Sequence, residues 1–183
     1  MEKILPKKVY SLGDYYMTEG LRETCHEIKE NPNCIPLLKE VAKRLAALIP
    51  KDALLVPVPC SNSYYTDKLC MFISSVRWPG VIPAVNHYCN TFLDTVKDGS
   101  LYDKKKAGLP VTEEDCKFVL TGHVPNGRIV LVDNVLATGT TASAAMRCIG
   151  RQCELAVIAV DEHTFCQEVA MTVEQKNLQL IEK

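Results

Sequence analysis

An α/β fold, with a parallel sheet covered by helices on both faces, is what the chain predicts, and three observations carry that prediction. The runs Ala53-Leu-Leu-Val-Pro-Val58, Ile129-Val-Leu-Val132 and Glu154-Leu-Ala-Val-Ile-Ala-Val160 lack the polar alternation of a half-solvated strand, as strands buried on both faces do. Stretches with apolar residues at helical spacing separate them. Strand and helix therefore alternate, the pattern of βαβ units wound into a parallel, three-layer arrangement. At about 150 residues per domain, 183 residues make a single domain spanning 1–183.

Taken in order, residues 1–20 mix aromatic, basic and glycine positions without a period and read as an extended flap. Leu21, Cys25 and Ile28 repeat at helical spacing until Asn31-Pro32-Asn33 stops the pattern. Asn33 is expected to cap a second helix, whose stripe is Leu37, Leu38, Val41, Leu45 and Leu48 and whose end is Pro50. The 53–58 strand runs into a polar loop over residues 60–66, and a helix is expected from Asp67 to Ser75. A strand at 81–85, weakened by Pro83, precedes a helical pattern through Tyr88, Phe92 and Val96. Residues 97–117 carry Asp98-Gly99, three consecutive lysines, Gly108, Pro110 and three consecutive acids, and read as the least structured part and the hinge. The 129–132 strand leads to the clearest helix, Ala142–Gly150, and the 154–160 strand breaks at Asp161-Glu162-His163. Residues 167–183 fit either a helix or a strand and a helix.

Charge narrows the function. Lys and Arg number 21 against 22 Asp and Glu, a net charge of -1, so no global basic field attracts nucleic acid or an anionic membrane. An anionic ligand must be held by a local device. No stretch approaches the ~18 apolar residues of a membrane helix, and the amino-terminal residues lack the apolar core of a signal peptide. Cytoplasm is the expected compartment. Nine cysteines without a C-x-x-C pair suggest neither a metal nor a disulfide framework, and most are expected to pack as small apolar groups.

Residues 129–145, IVLVDNVLATGTTASAA, carry the chemistry. A strand end is expected to bring Asp133 and Asn134 to the carboxyl edge of the sheet, where open α/β folds bind ligands. Thr138-Gly139-Thr140-Thr141 then offers hydroxyls and successive backbone N–H groups at a helix start, where the field favours a phosphate. Gly139 permits positive φ or a close approach. A carboxylate one loop upstream suits vicinal hydroxyls, because it accepts two hydrogen bonds. Phosphate and diol together describe a sugar phosphate. The two commoner phosphate loops, G-x-x-x-x-G-K-[ST] and G-x-G-x-x-G, are absent.

The segment resembles the phosphoribosyl pyrophosphate (PRPP) motif of the type I phosphoribosyltransferases: an apolar strand, two acids, a spacer and T-G-x-T. The early helix pair, the strand ending in VPVP at 56–59 and the long loop before the motif are arranged as in ComF-like phosphoribosyltransferases. That resemblance covers most of residues 15–165. It implies a type I phosphoribosyltransferase-like fold with a five-stranded parallel core sheet, a flexible catalytic loop at 97–117 and a small variable hood drawn from 1–20 and 161–183. It also implies transfer of a phosphoribosyl group from PRPP to a nitrogen nucleophile such as a nucleobase, with pyrophosphate released and Mg²⁺ carried by PRPP. A homodimer is expected by the same analogy.

Carried over by position, Asp133 would hold the ribose hydroxyls, and Asn134 stands where the family has a second acid. Ala137, Thr138, Gly139, Thr140 and Thr141 would wrap the 5′-phosphate. Pro59, Cys60, Ser61 and Asn62 take the place of the pyrophosphate loop. Lys104, Lys105 and Lys106 would be the cations of the closing loop, and His163 stands in the place of a base-binding loop. Tyr64 and Tyr65 either stack on a base or close the core. Two other readings stay open on the residues themselves. One is a non-catalytic PRPP or nucleotide sensor, since Asn134 removes a charge. The other is a receiver-like phosphoprotein with Asp133 as phosphoacceptor.

Overall fold

Strands form where the chain is apolar on both faces and helices where it is apolar on one. In the computed structural model, which describes residues 2–60, 64–80, 92–96, 103–104, 107–167 and 169, the elements run β1 (Val9–Ser11), α1 (Leu21–Glu30), α2 (Ile35–Leu48), β2 (Leu54–Pro57), α3 (Tyr65–Arg77), β3 (Leu93–Thr95), α4 (Glu113–Cys116), β4 (Phe118–Leu120), β5 (Ile129–Leu136), α5 (Thr140–Ile149) and β6 (Glu154–Val160). Four strands pair in the order β1-β6-β5-β2, all parallel. The expected strand at 81–85 lies outside the described residues.

Two cores sandwich this sheet, because successive strand residues point to opposite faces. On one face Leu55, Val130, Val132, Ala156 and Ile158 meet Cys25 and Ile28 of α1, Leu38, Val41 and Leu45 of α2, and Leu69 and Ile73 of α3. On the other, Val56, Leu131, Leu155 and Val157 meet Ala142, Ala145, Met146 and Ile149 of α5. The result is a three-layer α/β arrangement. No described helix is long and apolar enough to cross a membrane.

Several expectations are revised. Residues 1–20 are not simply a flap: Val9, Tyr10 and Ser11 pair with Leu155, Ala156 and Val157 and form an edge of the main sheet. Cys34, not Asn33, occupies the cap position of α2, and the Asn33 side chain accepts a hydrogen bond from Lys68 Nζ instead. The helical spacing through Phe92 and Val96 gives way to β3, which pairs antiparallel with β4 through Leu93–Leu120 and Thr95–Phe118 and buries Phe92 and Leu93 against the α5 side. A distant pairing partner overrides the local period there. After β6, residues 162–167 turn helical, with Asp161 Oδ1 accepting from Thr164 N at 3.0 Å. Most of the tail expected at 167–183 lies outside the described residues.

Candidate functional site

The strand that carries the motif is longer than its apolar run. β5 continues through Leu136, with Asp133 opposite Val157, Val135 opposite Ala159 and Leu136 opposite Val160. Asp133 and Asn134 therefore stand in the ladder, and the pleat sends their side chains to opposite faces. Asp133 lines a cavity of about 460 Å³ at the carboxyl edge, bounded by Ala137, Thr138, Gly139, Thr140 and Thr141, by Leu109, Pro110 and Val111, and by Lys3.

Asn134 turns the other way. It is 6% exposed, and its Nδ2 donates to the Cys25 carbonyl of α1 at 3.0 Å, while its Oδ1 has no partner. The expectation that Asn134 helps hold the ribose is thus corrected: it pins α1 to the sheet. The Cys25 carbonyl fixes the amide orientation, since only the NH₂ end donates.

The 138–141 turn has the geometry of an anion cradle. Gly139 sits at φ +71° as the cap residue of α5. A Cβ there would lie 3.6 Å from Phe165, an ordinary contact, so backbone conformation and not space requires the glycine. Thr138 and Thr140 share a hydroxyl hydrogen bond of 3.0 Å, and Ser143 N donates to Gly139 O at 2.9 Å, closing the first helical turn. The N–H groups ahead of that turn face the cavity end of a ten-residue helix and its positive dipole end.

Of the expected pyrophosphate loop, Pro59 and Cys60 are described, and neither lines the cavity. Pro59 and Cys60 leave β2, and the Cys60 thiol is 3.6 Å from Thr66 Oγ1. Burial, with the charge of Asp133 adding to it, pushes the Cys60 thiol up to about 11, and the carboxyl ends of β2 and β5 are near neighbours, with Pro57 opposite Val132. Cys60 is consequently a protonated, structural thiol. Ser61 and Asn62 lie outside the described residues. Tyr65 is buried against the core, whereas Tyr64 is 62% exposed.

The expected flexible loop is tied down over its second half. Lys104 Nζ contacts Asp115 Oδ1 at 2.6 Å and is not among the residues lining the cavity. Lys105 and Lys106 lie outside the described residues. Thr112 and Asp115 form a capping box on α4. Glu113 accepts from Ser143 Oγ at 2.5 Å and from Arg147 Nε at 2.6 Å, fastening the segment to α5. This positions Leu109–Val111 across the cavity from Asp133.

These carboxylates make the tether acid-sensitive. The Lys104 hydrogen bond holds Asp115 down at about 2. Burial pushes Glu113 up, but hydrogen bonds from Arg147 and Ser143 outweigh it and hold the group below 4.5. Both groups sit lower folded than unfolded, so their stabilisation is complete above the ordinary carboxylate range and is lost as pH falls through that range toward about 2. Melting curves across this window are expected to be shallower in pH for Glu113→Gln than for the native chain. Parallel curves would remove Glu113 from the tether.

Lys3 is the residue that sequence reasoning missed. Its Nζ donates to the Thr138 carbonyl at 3.0 Å, and it is the cation among the described lining residues. No motif marks it; the only signal is a run of basic residues before β1. His163 is exposed and pairs with Gln167 at 3.1 Å, away from the cavity lining. The described cysteines are all free thiols, and burial raises Cys25 to about 12.

No group of three His, Cys, Asp or Glu among the described residues is arranged to hold a metal ion. Among the described residues a single carboxylate, Asp133, lines the cavity. That suits Mg²⁺ only as a passenger on a polyphosphate, where phosphate oxygens and water supply most ligands. No protein-family model matches the chain, and neither does any curated protein.

Proposed function

We propose that this protein binds PRPP, or a closely related ribose phosphate, in the cavity between Asp133 and the 138–141 turn, and transfers its phosphoribosyl group to a nitrogen nucleophile. One observation carries the reading: a lone carboxylate and a glycine-bent helix start share one cavity at the carboxyl edge of a parallel sheet. The N–H groups of the turn bind the 5′-phosphate, and Asp133 accepts from the vicinal hydroxyls. Leu109-Pro110-Val111 covers the bound sugar and excludes water from the reacting carbon. The nitrogen lone pair forms the C1–N bond as the C1–O bond breaks, and both electrons of that bond leave with pyrophosphate. Mg²⁺, when carried in on PRPP, would supply charge neutralisation of the departing group, and Asp133 is the carboxylate among the described lining residues that would help to hold it.

A second reading is favoured by Asn134. With that side chain committed to α1, the site offers one carboxylate, which serves a PRPP or nucleotide sensor as well as an enzyme. Incubation with PRPP, Mg²⁺ and a panel of nucleobases distinguishes the two. Pyrophosphate release indicates the transferase. Calorimetric binding without release indicates the sensor. Thr140→Val removes a hydroxyl at the turn and should abolish binding in either case; undiminished affinity in that variant sinks the phosphate-loop assignment.

A further inference from the structure

Residues 2–5 form a strap along α5. Arg147 Nη2 donates to Glu2 O at 2.5 Å, Ile4 N donates to Ser143 Oγ at 2.7 Å, and Gln152 Nε2 donates to Leu5 O at 2.6 Å. The residues on both sides of Lys3 are thus fixed to the helix whose start is the phosphate turn, or to the turn that follows it. Ser143 and Arg147 also hold Glu113, so strap and cavity-covering segment share their anchors. Lys3 itself is partly buried and reaches the Thr138 carbonyl, next to the turn's N–H groups.

Charge explains why a cation belongs there. The described cavity lining holds two charged side chains, Asp133 and Lys3, of opposite sign. Without the lysine the one side-chain charge in the described lining is that of Asp133, and a phosphate dianion entering a poorly screened space meets its repulsion with only the turn's N–H groups and helix dipole to offset it. We infer that Lys3 is a phosphate-binding residue of the site, its ammonium passing from the Thr138 carbonyl to an oxygen of the ligand's 5′-phosphate. The inference rests on the ribose-phosphate reading above. An ammonium has three donors and a phosphate oxygen is a stronger acceptor than an amide carbonyl, so the exchange is favourable and short.

The test is calorimetric titration of the full chain with ribose 5-phosphate and with PRPP plus Mg²⁺, for the native protein, Lys3→Met, Lys3→Arg and Thr140→Val, with melting curves alongside. Lys3→Met should weaken both ligands by about 10- to 100-fold and flatten the dependence on ionic strength. Lys3→Arg should recover most of the affinity, and the unliganded melting temperature should hold in both. Native binding that Thr140→Val weakens and Lys3→Met does not overturns the lysine assignment and leaves the ribose-phosphate reading standing. Equal loss in Lys3→Met and Lys3→Arg, accompanied by lower melting temperatures, reduces Lys3 to a fastener of the strap and overturns it as well. A native protein that binds neither ligand overturns both.

Discussion

Replacing Asn134 with aspartate, which gives the motif its second acid, should lower stability at pH 7 by about 2–4 kcal/mol and add nothing to ligand binding. The substitution sets a carboxylate oxygen where Nδ2 donates to the Cys25 carbonyl, at a position 6% exposed whose described hydrogen-bond partner is that neutral carbonyl. Burial and the facing carbonyl both disfavour the charged form, so the new carboxyl titrates higher folded than unfolded. The deficit is therefore greatest above the folded value and fades as pH falls toward 4, where the protonated acid donates to the same carbonyl. Urea unfolding of the native chain and Asn134→Asp at pH 7 and at pH 4.5 measures this directly. A deficit that does not shrink on acidification places the cause elsewhere.

The second large effect is at Asp133. Asp133→Asn keeps an oxygen to accept from Asn134 N, a contact of 2.7 Å, and so should fold normally. It loses the charge that strengthens the hydrogen bonds to a ribose diol, and PRPP affinity should fall by about 10- to 100-fold. A second readout comes from Cys60, whose thiol Asp133 helps to raise. With that charge gone the thiol titrates lower, and its alkylation at a fixed alkaline pH should quicken. Faster alkylation with unchanged ligand affinity would keep the geometry and discard the diol-binding role.

These two neighbours also show how far the chain can be read without coordinates. β6 is legible from Glu154 to Val160 because burial on both faces leaves an unbroken apolar run. α1 is legible because Leu21, Cys25 and Ile28 are buried and the exposed face between them is charged. Asp133 and Asn134 are a different case. A polar pair after four apolar residues looks like a strand end, yet the ladder with Val157–Val160 carries the strand through it. That extension alone decides that one side chain lines the cavity and the other meets α1. β1 and β3 have three residues each, too few to show a period, and each exists only through a partner far along the chain. Lys3 is invisible for the same reason, since its role depends on a contact across 135 positions. The bend at Gly139 and the helix start beside it are legible, because a glycine's freedom to take positive φ is local.

The strap and β1 have a consequence for biosynthesis. Tyr10 donates to Glu154 across 144 positions, and among the described residues Val9–Ser11 pair with β6 alone. At about 5–20 residues per second, the first eleven residues wait on the order of ten seconds outside the ribosome before β6 emerges. The sheet edge and the cavity, which Leu155 and Val157 help to line, are then completed in one late, non-local step, of the kind that sets a slow folding rate. A nascent chain halted before residue 154 would carry every residue of the 138–141 turn and every anchor of the strap, and still lack the strand that pairs with β1.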